Sequence, residues 1–162
     1  MKDFTIRPAR MEDVPLILAL IRELADYENM LDQVTATEEI LKEWLFEKKT
    51  AEVLIPQVGD SPIGYALFFH NFSTFLGKGG LYLEDVYIRP EYRGNGYGKA
   101  VFRELARIAE ERGCGRLEWV CLDWNQPSID FYLSMEAEPQ GEWTIYRLTG
   151  ETLHNVAKGE EI

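Results

Sequence analysis

The residues best able to do chemistry in this chain lie in two short stretches. The first joins a run from Leu81 to Ile88 to the turn Arg93-Gly94-Asn95-Gly96-Tyr97-Gly98. The run carries adjacent carboxylates, Glu84 and Asp85, side chains that accept protons or hold cations. In the turn, alternate residues without a side chain let successive backbone N–H groups converge on one point, a geometry that binds phosphate. The second stretch is Asp123-Trp124-Asn125-Gln126-Pro127-Ser128-Ile129-Asp130-Phe131-Tyr132. A tyrosine, with a reference pKa of about 10, is a suitable acid for a basic leaving group.

These groups need elements to hold them. Leu81 to Ile88 is aromatic and branched, a strand that Pro90 ends, with Glu84 and Asp85 expected on opposite faces because side chains alternate. After the glycine turn, Val101, Leu105, Ile108 and Ala109 fall on one face of a helix that closes with Arg112 and Gly113. The N-terminus of that helix points its dipole and free N–H groups into the turn, which strengthens the anion site. Upstream, Phe4 to Arg7 reads as a first strand. A helix starting near Glu12 or Asp13 carries Val14, Ile17, Leu18, Ile21, Leu24 and Ala25, with Pro15 confined to its first turn. A second helix starts near Thr35 or Thr37, with Ile40, Leu41, Trp44 and Leu45 on one side. Ala51 to Val58 and Ile63 to His70 form an antiparallel hairpin through Gly59-Asp60-Ser61-Pro62, Pro56 marking an edge or a bulge. Asn71 to Gly80 reads as a longer loop. Downstream come a strand from Arg116 to Leu122, a short helix from Asn125 to Leu133, a strand from Trp143 to Thr149 and a frayed helix from Glu151 to Lys158. Hairpins first and alternating strands and helices afterwards imply an α/β chain with a mixed sheet covered on both faces. Its 162 residues suit one domain, residues 1–162.

Composition excludes several classes. The apolar fraction of 46% and charged fraction of 28%, without a membrane-length apolar run or a signal peptide, describe a cytoplasmic globular protein. A net charge of −11 argues against a general nucleic-acid surface; it would draw in a cationic substrate, although acidity alone reads first as an aid to solubility. Cys114 and Cys121 are too few for a disulfide framework and read as reduced core thiols. Neither His70 nor His154 sits where it would activate a cysteine, so acyl transfer through a thiol is disfavoured, and no metal-ligand spacing is present.

The glycine turn fits neither common nucleotide pattern. A triphosphate loop needs four residues between its glycines and then Gly-Lys-Ser/Thr, whereas Ala100 stands where the hydroxyl would be. The dinucleotide G-x-G-x-x-G spacing also fails. What remains is R-x-x-G-x-G, read as Arg93, Gly96 and Gly98, and this resembles the pyrophosphate loop of the GCN5-related N-acetyltransferases. The Asn125 to Tyr132 spacing resembles that family's Asn-x-x-x-x-x-x-Tyr segment. YLEDVYIRPEYRGNGYG, DWNQPSIDFY and IRELADYE are similar to the branch holding spermidine/spermine N1-acetyltransferases and thialysine N-epsilon-acetyltransferases, a resemblance covering nearly the whole chain.

The resemblance implies a mixed, mostly antiparallel sheet flanked by helices, acetyl-CoA as co-substrate, no metal, a small cationic primary amine as acceptor, and a homodimer. It places Arg93 and the N–H groups of Gly94, Asn95, Gly96, Tyr97, Gly98 and Lys99 on the pyrophosphate. Val86, Tyr87 and Ile88, from a bulged strand, together with Asn125, Ser128 and Tyr132, would hold the rest of the cofactor. Glu84 would take the proton from the ammonium or hold it by charge, and Tyr132 would protonate the departing thiolate. Tyr27, Glu28 and Glu142 would contact the amine substrate. Glu136 departs from the family pattern, which has glycine there. Transfer to a protein or peptide, and a silent acyl-CoA-binding module, stay open as alternatives.

Overall fold

A mixed sheet, six-stranded among the described residues, organises the first of two compact units into which the chain divides, Met1–Val120 and Cys121–Ile162. The structure is a computed structural model that describes residues 3–159. The ends of the expected 1–162 domain, Met1, Lys2 and Glu160 to Ile162, lie outside the described residues.

In the first unit the strands are β1 (Phe4–Pro8), β2 (Glu52–Val58), β3 (Ser61–Pro62), β4 (Gly64–Ser73), β5 (Lys78–Ile88) and β6 (Leu117–Trp119). Their order is β1-β2-β4-β5-β6, with β3 paired to β2. Every pairing is antiparallel except β5 with β6. The sequence expectation of a mostly antiparallel mixed sheet therefore holds. Pro56 marks a break: its carbonyl accepts from Ile63 N–H at 2.9 Å, beyond the three residues, Glu52 to Leu54, that pair with β4. Asn71 to Gly80 is not a long loop. β4 and β5 continue as a hairpin to Ser73 and Lys78, because Gly77, at φ 71°, closes a tight turn on the Ser73 carbonyl. β6 is shorter than the Arg116 to Leu122 strand expected, and pairs only with Leu81 to Leu83.

Helix α1 (Val14–Tyr27) packs Ile17 and Leu20 against Val53, Ile55, Tyr65 and Tyr87, one face of the sheet. Pro15 sits in its first turn, after a 3-10 turn, and Asp13 holds the entry through paired bonds from Arg7 at 2.8 and 2.9 Å. Helix α2 (Glu38–Lys42) begins at Thr37, whose hydroxyl accepts from Ile40 N–H. Helix α3 (Tyr97–Glu111) buries Val101, Phe102, Leu105, Ile108 and Ala109, the periodic face read from sequence, and Gly113 caps its end at φ 70°. Complete burial of Val101 and Leu105 alone is worth roughly 3–6 kcal/mol before entropy is charged against it. Phe102 meets Trp119, and Arg112 lies over Phe68, so α3 covers the face opposite α1.

The second unit holds α4 (Gln126–Ser134) and α5 (Gly150–Lys158). The expected strand from Trp143 to Thr149 is absent there: the segment is exposed and carries no strand pairing among the described residues. Its side chains suit a strand, but a strand exists only with a partner. Cys114 and Cys121 are only half-buried and do not belong to the core expected of them.

Gly64 is where two backbones come closest. A Cβ there would overlap the Tyr87 carbonyl on β5. Gly64→Ala is expected to cost about 3 kcal/mol of stability by chemical denaturation, since the obstacle is backbone and cannot rotate aside.

Candidate active site

The site is built on an irregularity in β5. Leu67 of β4 pairs with Asp85, but Phe68 pairs with Leu83, so Glu84 is an extra residue, a β-bulge. The bulge undoes the alternation expected from sequence. Residues directly opposite share a face, so Asp85 joins Leu67, Tyr65 and Tyr87 on the α1 side, whereas Leu83 joins Phe68 on the other. Glu84 is exposed, and its charge bears on Tyr65 and on Tyr82. The charges of both carboxylates thus bear on the Tyr65 phenol.

Asp85 lies against the buried Tyr65, whose hydroxyl donates to Asp85 Oδ2 at 2.8 Å. Burial pushes the Asp85 carboxyl above the usual carboxylate range, and the tyrosine's hydrogen bond opposes that rise. Glu28, at the end of α1, is also raised, first by burial and then by the charge on Asp85. Burial and the surrounding charges of Asp85, Glu28 and Glu84 hold the Tyr65 phenol far above its ordinary range, so it is a donor throughout. Sequence reasoning names Asp85 but sets it on the face opposite Glu84, and it passes over Tyr65. A hydroxyl at the start of the otherwise apolar run Gly64-Tyr65-Ala66-Leu67-Phe68-Phe69 was the available signal.

The end of α1 is fixed for this purpose. Arg89 donates to both Glu23 oxygens, at 3.0 to 3.3 Å, and to the Pro62 carbonyl at 3.2 Å, while Tyr87 Oη donates to Glu23 at 3.4 Å. One turn on, Tyr27 and Glu28 end the helix. Asn29, at φ 59°, and Met30 donate to the Asp26 and Ala25 carbonyls. That pattern of bonds sets the last turn of α1.

Beyond β5, a 3-10 turn at Pro90–Tyr92 leads into the glycine loop. Gly94 and Gly96 adopt φ 79° and 82°, which L side chains rarely take, and Asn95 Nδ2 ties the loop to the Tyr92 and Arg93 carbonyls at 3.1 and 3.2 Å. No side chain caps the first turn of α3. Tyr97 stacks on Phe4 with ring centroids 4.7 Å apart, and this anchors the helix start. The Arg93 Nε donates to the Ile88 carbonyl at 2.7 Å, and its guanidinium lies 4.9 Å from the Tyr27 ring and 5.5 Å from that of Tyr87. Strand pairing on the β6 side of β5 stops at Leu83, so among the described residues Val86, Tyr87 and Ile88 present an outer edge with no strand partner. An open strand edge running into a positive-φ glycine turn and an uncapped helix start suits a ligand that is amide-rich along its length and doubly anionic at one end, as the arm and pyrophosphate of coenzyme A are.

The second unit, taken by itself, holds Asn125, Ser128 and Tyr132. Asn125 is buried and caps α4, its Oδ1 accepting from Ser128 N–H at 3.4 Å. Tyr132, half-buried, lies a helical turn beyond Ser128 with its ring 5.8 Å from that of Phe131. Its carbonyl accepts from Ala137 N–H at 3.2 Å, while Glu136, at φ 64°, donates to Leu133. Glu136 therefore takes the left-handed conformation that glycine would take without strain. Glu142 stands in the exposed segment before Trp143. Among the described residues no set of three or more His, Cys, Asp and Glu side chains is gathered so as to hold a metal, and no helix is long and apolar enough to cross a membrane.

A mixed sheet with a bulged central strand feeding a glycine loop defines an acyl-CoA-dependent acyltransferase. The chain belongs to the acetyltransferase (GNAT) family, which its residues 17–136 match, and it is an acetyl-CoA-dependent N-acetyltransferase. It is 37% identical to a thialysine N-epsilon-acetyltransferase of Bos taurus, over 94% of this chain and 96% of that one. It is 33% identical to a spermidine/spermine N(1)-acetyltransferase-like protein of Homo sapiens, over 97% of this chain but 24% of the relative. Among solved structures, an integron cassette protein from the mobile metagenome of V. cholerae superposes with a TM-score of 0.81 and 26% identity, covering 96% of this chain and 98% of that one.

Gly96→Ala meets no neighbouring atom, so its cost is the left-handed backbone alone. It is expected to raise KM for acetyl-CoA about tenfold, equivalent to the 1–2 kcal/mol of that strain. Steady-state kinetics with acetyl-CoA varied check it, and an unchanged KM would exclude the loop from cofactor binding.

Proposed function

We propose that this protein acetylates the terminal amine of a small cationic substrate, a lysine-like amino acid ahead of a polyamine, by direct attack in a ternary complex. The carrying observation is the acidic face at the bulge. Glu28, Glu84 and Asp85 all bear on one buried phenol, and no cation stabilises Asp85 or Glu28 among the described residues. An ammonium complements such a face. The ranking of substrates draws on the near full-length likeness to the thialysine enzyme, against a polyamine relative matched over a quarter of its length.

An alkylammonium, with a pKa near about 10, must lose its proton before it attacks. Glu84, exposed on the bulge, accepts that proton directly or through a water, with Tyr27, Glu28 and Glu142 as substrate contacts. Acetyl-CoA, when bound, supplies the thioester. The outer edge of Val86 to Ile88, with Asn125 and Ser128, holds its arm, and Arg93 with the N–H groups from Gly94 to Lys99 holds its pyrophosphate. Tyr132 gives a proton to the departing thiolate. Both units serve one catalytic domain, residues 1–162, in the cytoplasm. The working form is a homodimer. Its support is the segment holding Trp143, Ile145 and Tyr146, which are 79%, 65% and 90% exposed. Strand-forming side chains so placed gain a partner from a second copy.

Release of coenzyme A thiol with thialysine, lysine, spermidine, spermine and a short peptide offered separately tests the substrate reading. Thialysine or lysine turns over fastest if it is right. Peptide preference would make this a protein acetyltransferase, and no turnover would make it a binding module. Tyr132→Phe is expected to lower turnover about a hundredfold with acetyl-CoA binding kept, and Glu84→Gln to lose most at low pH, where deprotonation is hardest. For the dimer, light scattering at several concentrations is decisive, and monomer alone would contradict it.

A further inference from the structure

We propose that Tyr65 is a positioning residue for the acetyl transfer: its buried hydroxyl fixes the Asp85 carboxylate on the face shared with Glu28 and Glu84, where the reaction needs that carboxylate charged. The proposal rests on the reading of the site as one for a cationic amine.

The geometry carries it. Tyr65 is fully buried and packs in one cluster with Ile17, Leu20, Ile55 and Tyr87, so its ring cannot swing away from Asp85. Phenylalanine would fill that cluster equally well, and a hydroxyl taken to such depth costs stability unless it has a partner. Its partner is Asp85, at 2.8 Å, which faces Tyr65 because of the bulge. In a regular strand the carboxylate would point to the α3 side and the hydroxyl would be stranded. The pair exists only where the sheet is irregular, next to the edge assigned to the cofactor.

The surroundings of Asp85 are anionic. From β4 it meets Tyr65, from α1 Glu28, and from its own strand Glu84 and Tyr87. The nearby cations are engaged elsewhere, Arg89 on Glu23 and Arg93 on the Ile88 carbonyl and the rings of Tyr27 and Tyr87. Burial favours the neutral acid at Asp85, and the Tyr65 hydrogen bond is the opposing influence. Without that bond Asp85 takes up its proton at higher pH, and the face loses a charge that draws the ammonium toward Glu84.

Tyr65→Phe and Asp85→Asn test this through kcat and KM for the amine from mildly acidic to alkaline pH, with thermal stability measured alongside. Asn keeps an acceptor for the Tyr65 hydroxyl, so its fold is supported. For Tyr65→Phe the acidic limb of kcat/KM is expected to move up by about half a pH unit or more, the alkaline plateau staying within about twofold and KM for acetyl-CoA unchanged. For Asp85→Asn, kcat/KM for the amine is expected to fall about tenfold or more at every pH. Limbs that superimpose on wild type, with only a loss of thermal stability, would reduce Tyr65 to packing and overturn the proposal, as would full activity in Asp85→Asn. Wild-type protein that turns over no amine would overturn the functional reading and this proposal with it, a result distinct from active wild type with unmoved limbs.

Discussion

The pairing of β4 with β5 is regular except at one residue, and the arrangement of the site depends on that exception. With Glu84 inserted opposite the junction of Leu67 and Phe68, the strand keeps apolar contacts on both faces: Leu83 goes to the α3 side and Tyr87 to the α1 side. It also presents two carboxylates together. A strand of strict alternation would have buried one of them against α3, where a charge without a partner costs several kcal/mol. The bulge instead places Asp85 where Tyr65 can meet it. The same strand continues past its last pairing with β6, so its far end supplies an edge instead of a sheet interior.

Around this strand the contacts are few and directional. Glu23 and Arg89 bind the end of β5 to α1, and Arg93 folds back onto Ile88, Tyr87 and Tyr27. The acidic end of α1 and the glycine loop are thus both tied to the same few residues of β5. Gly64 lets β4 approach the Tyr87 carbonyl closely enough to keep that segment in register. A change in any of these alters the positions of the carboxylates and of the loop together. This coupling suits a reaction in which an amine and a thioester must meet in one geometry.

Much of this was legible in the sequence, wherever the cause is local. The face of α3, its Gly113 cap, the proline in the first turn of α1, the hairpin at Gly59 to Pro62 and the positive-φ glycines follow from residue types a few positions apart. So do the motifs that assign the family. What escaped is non-local. A bulge in this strand is implied by the family resemblance, but its position depends on register across two strands, so alternation alone places Asp85 on the face opposite Glu84. Tyr65 reads as core because nothing nearby in sequence shows that its hydroxyl has a carboxylate to meet. Trp143 to Thr149 has strand composition, but within the described residues there is no strand beside it, and composition alone cannot supply one. Asn71 to Gly80, with Phe72, Phe75 and two late glycines, has the composition of a loop, although cross-strand pairing carries the hairpin almost to Gly77.

A crystal structure of the protein with coenzyme A and thialysine tests the central claim most directly. The account predicts the pantetheine arm along the outer edge of Val86 to Ile88, the pyrophosphate on the N–H groups between Gly94 and Lys99, and the amine nitrogen on the face shared by Glu84, Asp85 and Glu28. An amine bound on the α3 side of β5, or a cofactor lying away from that edge and loop, would contradict it.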